Sequence, residues 1–415
     1  MSPSLLLPSN AVEELPLEYL RNRDMLCFSH DWSGDPLSKT HLMRLLARDN
    51  RILWVNSIGY RAPSVSRRDL GRAFKKLSAA MQPLSQPEPN LFVLSPFVIP
   101  AYGLAAVRAL NTRLLRFQVN RAMWQLGFQR PINWVFNPAA SLVAGTLEED
   151  LLIYYCVDEY TAFSGVPTEA LTALEERLLR RADIVLVSAE RLLHSKGRIN
   201  PQIALVRHGV DFEHFRRSLD PETEVPAELA VLPRPVIGYF GLIAQDWIDI
   251  DLLAHVAQRF PHASLVLLGK VTMDVSALER FPNVHFLGRK PYATLPSYCK
   301  GFDVALIPFP VSEVTLNANP LKAREYLAAG LPVVSTPIPE VEVLGQCLIG
   351  ATASEFADHI EGALAVPGPA IERSESMRPQ SWQARLHEID RHLTTLLESG
   401  ARGLSVVSGH ASVCS

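Results

Sequence analysis

A lysine and a glutamate three residues apart carry the strongest chemical signal in this sequence. Lys322 and Glu325 lie in a short segment that predicts a helix over residues 320–329, so both side chains belong to one face near its amino end. That end of a helix attracts anions through free N–H groups and the helix dipole. A diphosphate there would also meet the Lys322 ammonium, and Glu325 could accept hydrogen bonds from a ribose diol. The alternative is an exposed Lys–Glu pair, which is common and weakly stabilising.

The residues around this pair predict where the helix begins and ends. Asn319 is a suitable cap and Pro320 suits the first helical position. Gly330 suits a left-handed stop, and Pro332 then precedes a β-branched strand. The sequence therefore predicts a short helix followed directly by a strand.

A second group of polar residues follows predicted strands in the first half of the chain. Asp158 and Glu159 come just after the apolar run 151–156, where a carboxylate could accept a proton from a hydroxyl or orient a sugar; the alternative is a helix cap. His30, Asp31 and Gly34 lie in a polar turn after the first strand and are candidates for acceptor or phosphate contacts, or simply turn formers. His208 is expected to shape a domain junction.

Short apolar strands alternate with helices along most of the chain, which predicts an α/β architecture with parallel sheets whose ligand loops lie at the carboxyl ends of the strands. The pattern restarts after a proline-rich stretch, so we expect two doubly wound, Rossmann-like domains facing a cleft. The predicted units are an acceptor-binding domain over 1–218, a linker over 219–235, a donor-binding domain over 236–368, a helical segment over 369–400 and a disordered tail over 401–415. An amphipathic helix from Trp382 to Leu397 can cross back to the first domain.

Composition limits the class of protein. The chain has 415 residues, of which 48% are hydrophobic and 20% charged, as in a soluble globular protein with two cores. Five scattered cysteines predict neither a zinc site nor a disulfide framework and fit a reducing cytoplasm. The leucine run near the N-terminus is too short for a signal peptide, and no apolar run is long enough for a membrane span.

Charge is unevenly distributed. The net charge is −3, yet residues 61–130 contain eleven Lys/Arg and two acids. Residues 104–126 predict a helix with arginines among apolar side chains, and the stretch from Arg67 to Lys76 is also basic. This pattern favours peripheral contact with the anionic inner face of a membrane, against the alternative of a solvated helix packed on the sheet. No nucleic-acid-binding module is recognisable, so nucleic acid is not expected as a partner.

Several collinear motifs resemble glycosyltransferase family four. The run from Pro320 to Thr336 looks like the donor-site signature of that family. Further likeness lies in Asn283–Gly288, Phe302–Pro308, Arg181–Ser188 and Val206–Asp211. The resemblance therefore covers most of residues 150 to 345 and is weaker in the first strand-loop-helix. It implies a GT-B fold, a nucleotide-diphosphosugar donor (a UDP- or GDP-sugar), transfer with retention of anomeric configuration and no required metal. It also implies that Glu325 holds the donor ribose and that Lys322 helps to neutralise the diphosphate.

Combining residues and resemblance, we predict a glycosyltransferase acting on a glycan or lipid-linked acceptor in polysaccharide or glycolipid synthesis. The catalytic candidates are Asp158, Lys322 and Glu325, and the acceptor-site candidates are His30, Asp31, Gly34 and Glu159. The donor-site candidates are Gly241, Arg289, Lys290, Asn317, Asn319, Leu321, Lys322 and Glu325.

Two departures from the family pattern leave alternatives open. Asn317 stands where the family has the first glutamate of a pair, and the basic residues that usually follow the first donor-domain strand are missing from Gly238–Asp249. Phosphate neutralisation is then expected from Lys322, from backbone amides at Gly241, or from Arg289 and Lys290. The alternatives are a catalytically silent scaffold in polysaccharide assembly, a sugar-nucleotide epimerase, or an inverting transferase with Asp158 as base.

Overall fold

The computed structural model describes residues 16–58, 84–99 and 105–398, which form two α/β units. The first sheet has eight strands in the order β3-β4-β2-β1-β5-β6-β7-β8, and every neighbouring pair is parallel except β3 with β4. Its strands are β1 (Asp24–Phe28), β2 (Arg51–Val55), β3 (Ser85–Glu88), β4 (Leu91–Leu94), β5 (Ile132–Val135), β6 (Leu151–Cys156), β7 (Ile184–Val187) and β8 (Ile203–Leu205). Its helices are α1 (Ser38–Leu46), α2 (Ala105–Leu126), α3 (Thr168–Arg181) and α4 (Glu190–Gly197).

The second sheet has six parallel strands in the order β11-β10-β9-β12-β13-β14. These are β9 (Val236–Phe240), β10 (Ser264–Leu268), β11 (Val284–Gly288), β12 (Val304–Ile307), β13 (Val333–Ser335) and β14 (Leu348–Ile349). The helices from residue 212 onward are α5 (Phe212–Arg216), α6 (Ala227–Ala230), α7 (Ile250–Arg259), α8 (Ser276–Glu279), α9 (Leu295–Gly301), α10 (Glu313–Leu316), α11 (Leu321–Ala328), α12 (Pro339–Glu342), α13 (Ala353–Leu364), α14 (Ile371–Glu375) and α15 (Trp382–Glu398).

The central strands read as continuous apolar runs because helices cover both faces of each sheet. Every residue of β6, β7, β9, β10 and β12 is buried. The predicted architecture of two parallel-sheet, Rossmann-like domains is confirmed. The hairpin of β3 and β4 was not predicted, because the sequence Ser-Gln-Pro-Glu of β3 has none of the apolar alternation that marks a strand.

The second core begins earlier in the chain than the predicted boundary at residue 218. Val210, Phe212 and Phe215 pack in the core of the second domain. The predicted linker over 219–235 contains α6, whose Leu229 is buried in the same core. The chain therefore enters the second domain soon after β8, since three apolar side chains in this segment have no other core to fill.

The last helix returns to the first domain. Five residues of α15 pack against β-strand residues of the first sheet: Trp382, Leu386, Ile389, Leu393 and Leu396. At the same helix, the buried Asp390 carboxylate accepts hydrogen bonds from the N–H groups of Glu18, Tyr19 and Leu20. The N-terminal segment and the C-terminal helix thus stabilise one another on the first domain. The basic stretch Arg67–Lys76 and the tail over 401–415 lie outside the described residues.

Candidate active site

Helix α11 presents the predicted donor face to the cleft. It begins at Leu321, with Pro320 as its cap in an extended conformation, and the chain leaves it at Gly330, whose φ of +80° is left-handed as predicted. The prediction that Asn319 caps this helix is wrong. Its side chain is used elsewhere: Nδ2 donates to the Ser188 carbonyl of the first domain at 2.6 Å, and Oδ1 accepts from Arg324 at 2.6 Å. Asn319 therefore ties the donor helix to the other domain.

The Lys322 side chain is partly buried and has no ion pair or hydrogen bond among the described residues. Its Nζ lies 5.7 Å from the centre of the Tyr239 ring and 5.6 Å from that of Phe309, so two aromatic faces hold the ammonium. Burial lowers the pKa of Lys322, and the Glu325 carboxylate opposes that shift. A partly desolvated ammonium without a counterion is suited to bind an anionic ligand.

Gly241 lies directly under this lysine. It has a φ of +143°, and a Cβ there would lie 2.1 Å from Lys322 Cε, so the position requires glycine. Its N–H donates to the Leu268 carbonyl at 2.8 Å, and phosphate binding by this amide stays a prediction. Its contribution is space for the lysine side chain.

Glu325 is 9% exposed and accepts no side-chain hydrogen bond from the described residues. Burial raises the pKa of Glu325 to about 7; Lys322 acts against that shift and Asp211 adds to it. Tyr292 is electrostatically coupled to the same carboxylate, and its buried hydroxyl has no partner among the described residues. A carboxylate and a phenol, both unsatisfied, thus lie near the cleft where a ribose diol was predicted to bind.

On the first domain, Asp158 and His30 lie near Lys39 of α1. Burial raises the pKa of Asp158 to about 6, and the charge of Lys39 opposes the shift. Burial, and then Lys39, lower the pKa of His30 to about 3, so the ring is neutral. Its nitrogens lie 3.1 Å from Ser29 Oγ and 3.5 Å from Thr40 Oγ1. This arrangement combines an ammonium, a carboxyl and a neutral imidazole at the carboxyl end of the sheet.

Glu159 is not available at the cleft. Its carboxylate accepts from Lys196 at 2.7 Å and from Thr161 at 2.7 Å, and Lys196 also pairs with Glu175. The network beneath α3 and α4 thus occupies the carboxylate, and an acceptor contact by Glu159 stays a prediction. The side chain of its neighbour Asp158 has no such partners among the described residues.

Two other predicted contacts are engaged in structural interactions. The Arg289 guanidinium forms a two-point ion pair with Asp35 across the domains, at 2.6 and 3.0 Å. Lys290 pairs at 2.5 Å with Glu228 of α6 and packs on Tyr298, so its ammonium is engaged by the linker helix. Arg289 and Lys290 were both predicted as donor contacts. In the structure their charged groups bind Asp35 and Glu228.

The remaining candidates form local structure. Asp31 accepts from Ser57 N–H at 3.1 Å, and its own carbonyl accepts from Gly34 N–H at 3.1 Å, which is the turn alternative. Asn317 Nδ2 donates to the Glu313 carbonyl at 2.7 Å at the end of α10. Leu321 packs against the first-domain core.

Sequence reasoning missed Lys39, His41 and Tyr292. His41 of α1 lies with its ring centre 5.6 Å from that of Tyr292 and 5.8 Å from that of Trp382, so three chain segments meet beside Glu325. Burial lowers the pKa of His41 to about 4, although Asp211 opposes the shift. Lys39 and His41 lie in the first turn of the helix that follows the first polar turn. This position next to a predicted ligand loop was the sequence signal that could have identified them.

No group of three or more His, Cys, Asp or Glu residues in the described ranges is placed to hold a metal ion. A cavity of about 730 Å³ lies at the amino ends of the first sheet, where Arg23, Arg51 and Arg130 already pair with aspartates. Neither the search for metal ligands nor this cavity points to a second candidate active site among the described residues.

Comparison with known proteins agrees with the donor-domain geometry. Residues 234–365 match the family model described as Glycosyl transferases group 1. TuaH of Bacillus subtilis (strain 168), a protein assigned to teichuronic acid biosynthesis as a glycosyltransferase, is 28% identical over 225 residues, which are 50% of this chain and 55% of TuaH. The match therefore spans about half the length of that relative.

Solved structures show the fold. Sucrose-phosphate synthase from Thermosynechococcus elongatus superposes with a TM-score of 0.65 at 16% identity, covering 91% of this chain and all of that one. HepE of Anabaena, solved in complex with UDP-glucose, gives 0.56 at 12% identity and covers 91% of this chain and 99% of its own. The chain has the two-domain GT-B fold. Among the described residues, no helix is both long and apolar enough to cross a membrane.

Proposed function

We propose that this protein is a glycosyltransferase that transfers a sugar from a nucleotide-diphosphosugar to a glycan or lipid-linked acceptor, with retention, in the manner of glycosyltransferase family four. The donor domain matches the group 1 family model, and the curated relative is a glycosyltransferase of polysaccharide synthesis. Under this proposal the donor binds the second domain and the acceptor binds the first.

The observation that carries the proposal is the pairing of Lys322 and Glu325. Lys322 is the second and Glu325 the fifth of the eight residues of α11, and neither side chain forms a hydrogen bond or an ion pair among the described residues. The lysine supplies a positive charge for a diphosphate, and the carboxylate supplies the acceptor for ribose hydroxyls. A merely structural Lys–Glu pair would have its two groups in contact with each other or with solvent.

The first domain supplies a proton acceptor opposite the donor. Asp158 has a carboxyl pKa of about 6, so it is largely ionised at neutral pH yet still basic enough to accept a proton. In the retaining course, the leaving diphosphate helps to deprotonate the acceptor and Asp158 with Lys39 orients it. Catalysis is then mainly positioning and stabilisation of the leaving group.

Sugar transfer itself tests the proposal. Purified protein is incubated with radiolabelled UDP- or GDP-sugars and a lipid extract, with Lys322→Met and Glu325→Gln as site variants and Lys290→Met as the matched control. We expect transfer by the wild type and by Lys290→Met, and a loss of about 100-fold or more in either site variant, since each removes a charged contact to the donor. Equal activity in all four proteins would contradict the assignment.

The product distinguishes among enzymatic alternatives. Retention of the donor's anomeric configuration supports the family-four course, whereas inversion would give Asp158 the role of general base. Interconversion of the donor without transfer would indicate an epimerase. Wild-type protein that neither transfers nor hydrolyses any nucleotide sugar would favour a catalytically silent scaffold.

We further propose that α2 rests on an anionic membrane. Leu110, Phe117 and Trp124 recur every seven residues on one face and are 49%, 63% and 82% exposed, with Arg113 and Arg116 beside them. The opposite face of α2 is buried in the first core through Leu115, Val119, Ala122 and Met123. Exposed aromatic side chains flanked by arginines favour shallow insertion among acidic headgroups. A lipid-linked acceptor would then reach the first domain from the bilayer.

Vesicle sedimentation tests this contact. We expect binding to phosphatidylglycerol-containing vesicles that weakens with salt, and about tenfold weaker binding when Phe117 and Trp124 are both replaced by serine. Val231→Ser, an equally exposed apolar position on the second domain, is the control and should bind as the wild type does. Unchanged binding by the double variant would contradict the proposed face.

A further inference from the structure

A second cavity, about 290 Å³, lies where the two domains and the C-terminal helix meet. Its walls include Arg207 after β8, Arg324 of α11, and Arg385 and Glu388 of α15. Neither Lys322 nor Glu325 lines it, so it is separate from the proposed donor site. Three arginines around one small cavity are unusual, because like charges at short range repel.

Arg324 is the least compensated of these residues. Its side chain is 1% exposed, and its Nη1 donates to the neutral Asn319 Oδ1 at 2.6 Å. Its Nε and Nη2 have no partner among the described residues. Burying a guanidinium with unused donors is unfavourable unless an acceptor is supplied.

The other two arginines already have acids. Arg207 Nε pairs with Glu340 at 2.7 Å, and Arg385 Nη1 pairs with Glu388 at 2.6 Å. Arg385 Nε nevertheless lacks a partner among the described residues. Three guanidinium nitrogens of two side chains in the cavity wall therefore lack an acceptor among the described residues. Burial, and then the charge of Arg385, lower the pKa of Arg324 to about 10, although Glu340 opposes the shift.

We propose that this cavity binds a small phosphate-bearing anion, whose oxygens accept hydrogen bonds from Arg324 and Arg385. The planar guanidinium matches phosphate geometry and binds it through paired N–H donors. Arg324 precedes Glu325 on α11, and Arg385 belongs to the helix that crosses to the first domain. A bound anion would thus connect the donor helix with the crossing helix. The proposal does not depend on which sugar is transferred, or on whether transfer occurs.

Isothermal titration with inorganic phosphate tests the site, with Lys322→Met present in every protein to remove phosphate binding at the donor site. In this background, Arg324→Met and Arg385→Met are expected to lose at least about tenfold in affinity, the effect of a lost charged hydrogen bond. Arg259→Met, which removes an exposed arginine paired with Glu361 elsewhere on the second domain, should bind as the background does. Cavity variants that bind phosphate as tightly as the Lys322→Met background, or no phosphate binding by that background, would overturn the proposal.

A second measurement needs no variant. Crystals of the wild-type protein soaked in tungstate should show a heavy-atom peak within hydrogen-bonding distance of the Arg324 guanidinium; ordered water alone in the cavity would overturn the proposal. Titration with glucose 1-phosphate separates the two possible sources. Tighter binding than that of inorganic phosphate identifies a sugar phosphate, and weaker binding identifies free phosphate, and each result supports the cavity as an oxyanion site.

Discussion

Replacing Glu325 by glutamine should stabilise the unliganded protein while weakening its binding of a nucleotide. The carboxyl pKa is about 7 in the folded protein against an ordinary 4.5, because burial disfavours the charged form. At 1.36 kcal/mol per pH unit, this difference corresponds to about 3 kcal/mol of destabilisation by the ionised side chain. An uncharged amide of nearly the same shape avoids this cost.

The pH dependence follows from the direction of the shift. A carboxyl whose folded pKa is raised destabilises the protein increasingly as pH rises from about 4.5 through about 7, and the penalty is fully present above that. Glu325→Gln should therefore melt on the order of 5 °C higher than the wild type at pH 8, with little difference at pH 4.5. Asp358→Asn, which removes an exposed acid from the same domain, is the control and should show no such pH-dependent gain.

Binding completes the test. In the same variant, affinity for the nucleoside diphosphate should fall by about tenfold or more, since a charge-assisted hydrogen bond to ribose contributes about 1.5–3 kcal/mol. Calorimetric melts at both pH values and titration at pH 8 measure the two effects. A variant that is less stable at pH 8, or one that binds nucleotide as tightly as the wild type, would refute the reasoning.

Three further outcomes are expected. Activity should fall as pH drops below about 6 because Asp158 takes up a proton, and Asp158→Asn should lower activity and flatten that limb of the pH profile; an unchanged limb would exclude Asp158 as its source. Gly241→Ala should weaken nucleotide binding and lower the melting temperature, because a φ of +143° strains any residue with a Cβ and this Cβ, 2.1 Å from Lys322 Cε, would displace the lysine side chain; normal binding by titration would contradict this packing. Asp35→Asn breaks an exposed pair with Arg289 and should change stability by at most about 1 kcal/mol in melts at low salt, and a larger loss would mean that the pair holds the domains together.

The sheets were largely predictable because their signals are local. The strand Leu151–Cys156 is buried on both faces and forms an uninterrupted apolar run, so its bounds match the run 151–156 recognised in the sequence. The strand Ser85–Glu88 was missed because its pairing depends on its neighbour in the hairpin and not on its own composition. Edge strands whose pairing depends on a neighbouring strand are therefore difficult to predict from their own composition.

The candidate site was predictable in part. Lys322 and Glu325 could be paired from spacing alone, since a helical turn fixes which residues share a face. Asn319 was misread as a helix cap, and the ion pair of Glu159 was not foreseen, because their partners, Ser188 and Lys196, lie 131 and 37 residues away in sequence. Long-range partners decide whether a polar side chain is free for a ligand, and no local pattern encodes them.

The central claim is that Lys322 and Glu325 bind a nucleoside diphosphate. The most direct measurement is titration of UDP, GDP, ADP and dTDP into the wild type, Lys322→Met and Lys290→Met, because loss of a phosphate contact shows as affinity for the nucleotide alone. The account predicts that at least one nucleotide binds the wild type and Lys290→Met equally and binds Lys322→Met about tenfold more weakly or worse. Failure of all four nucleotides to bind the wild type, or equal binding by Lys322→Met, would contradict it.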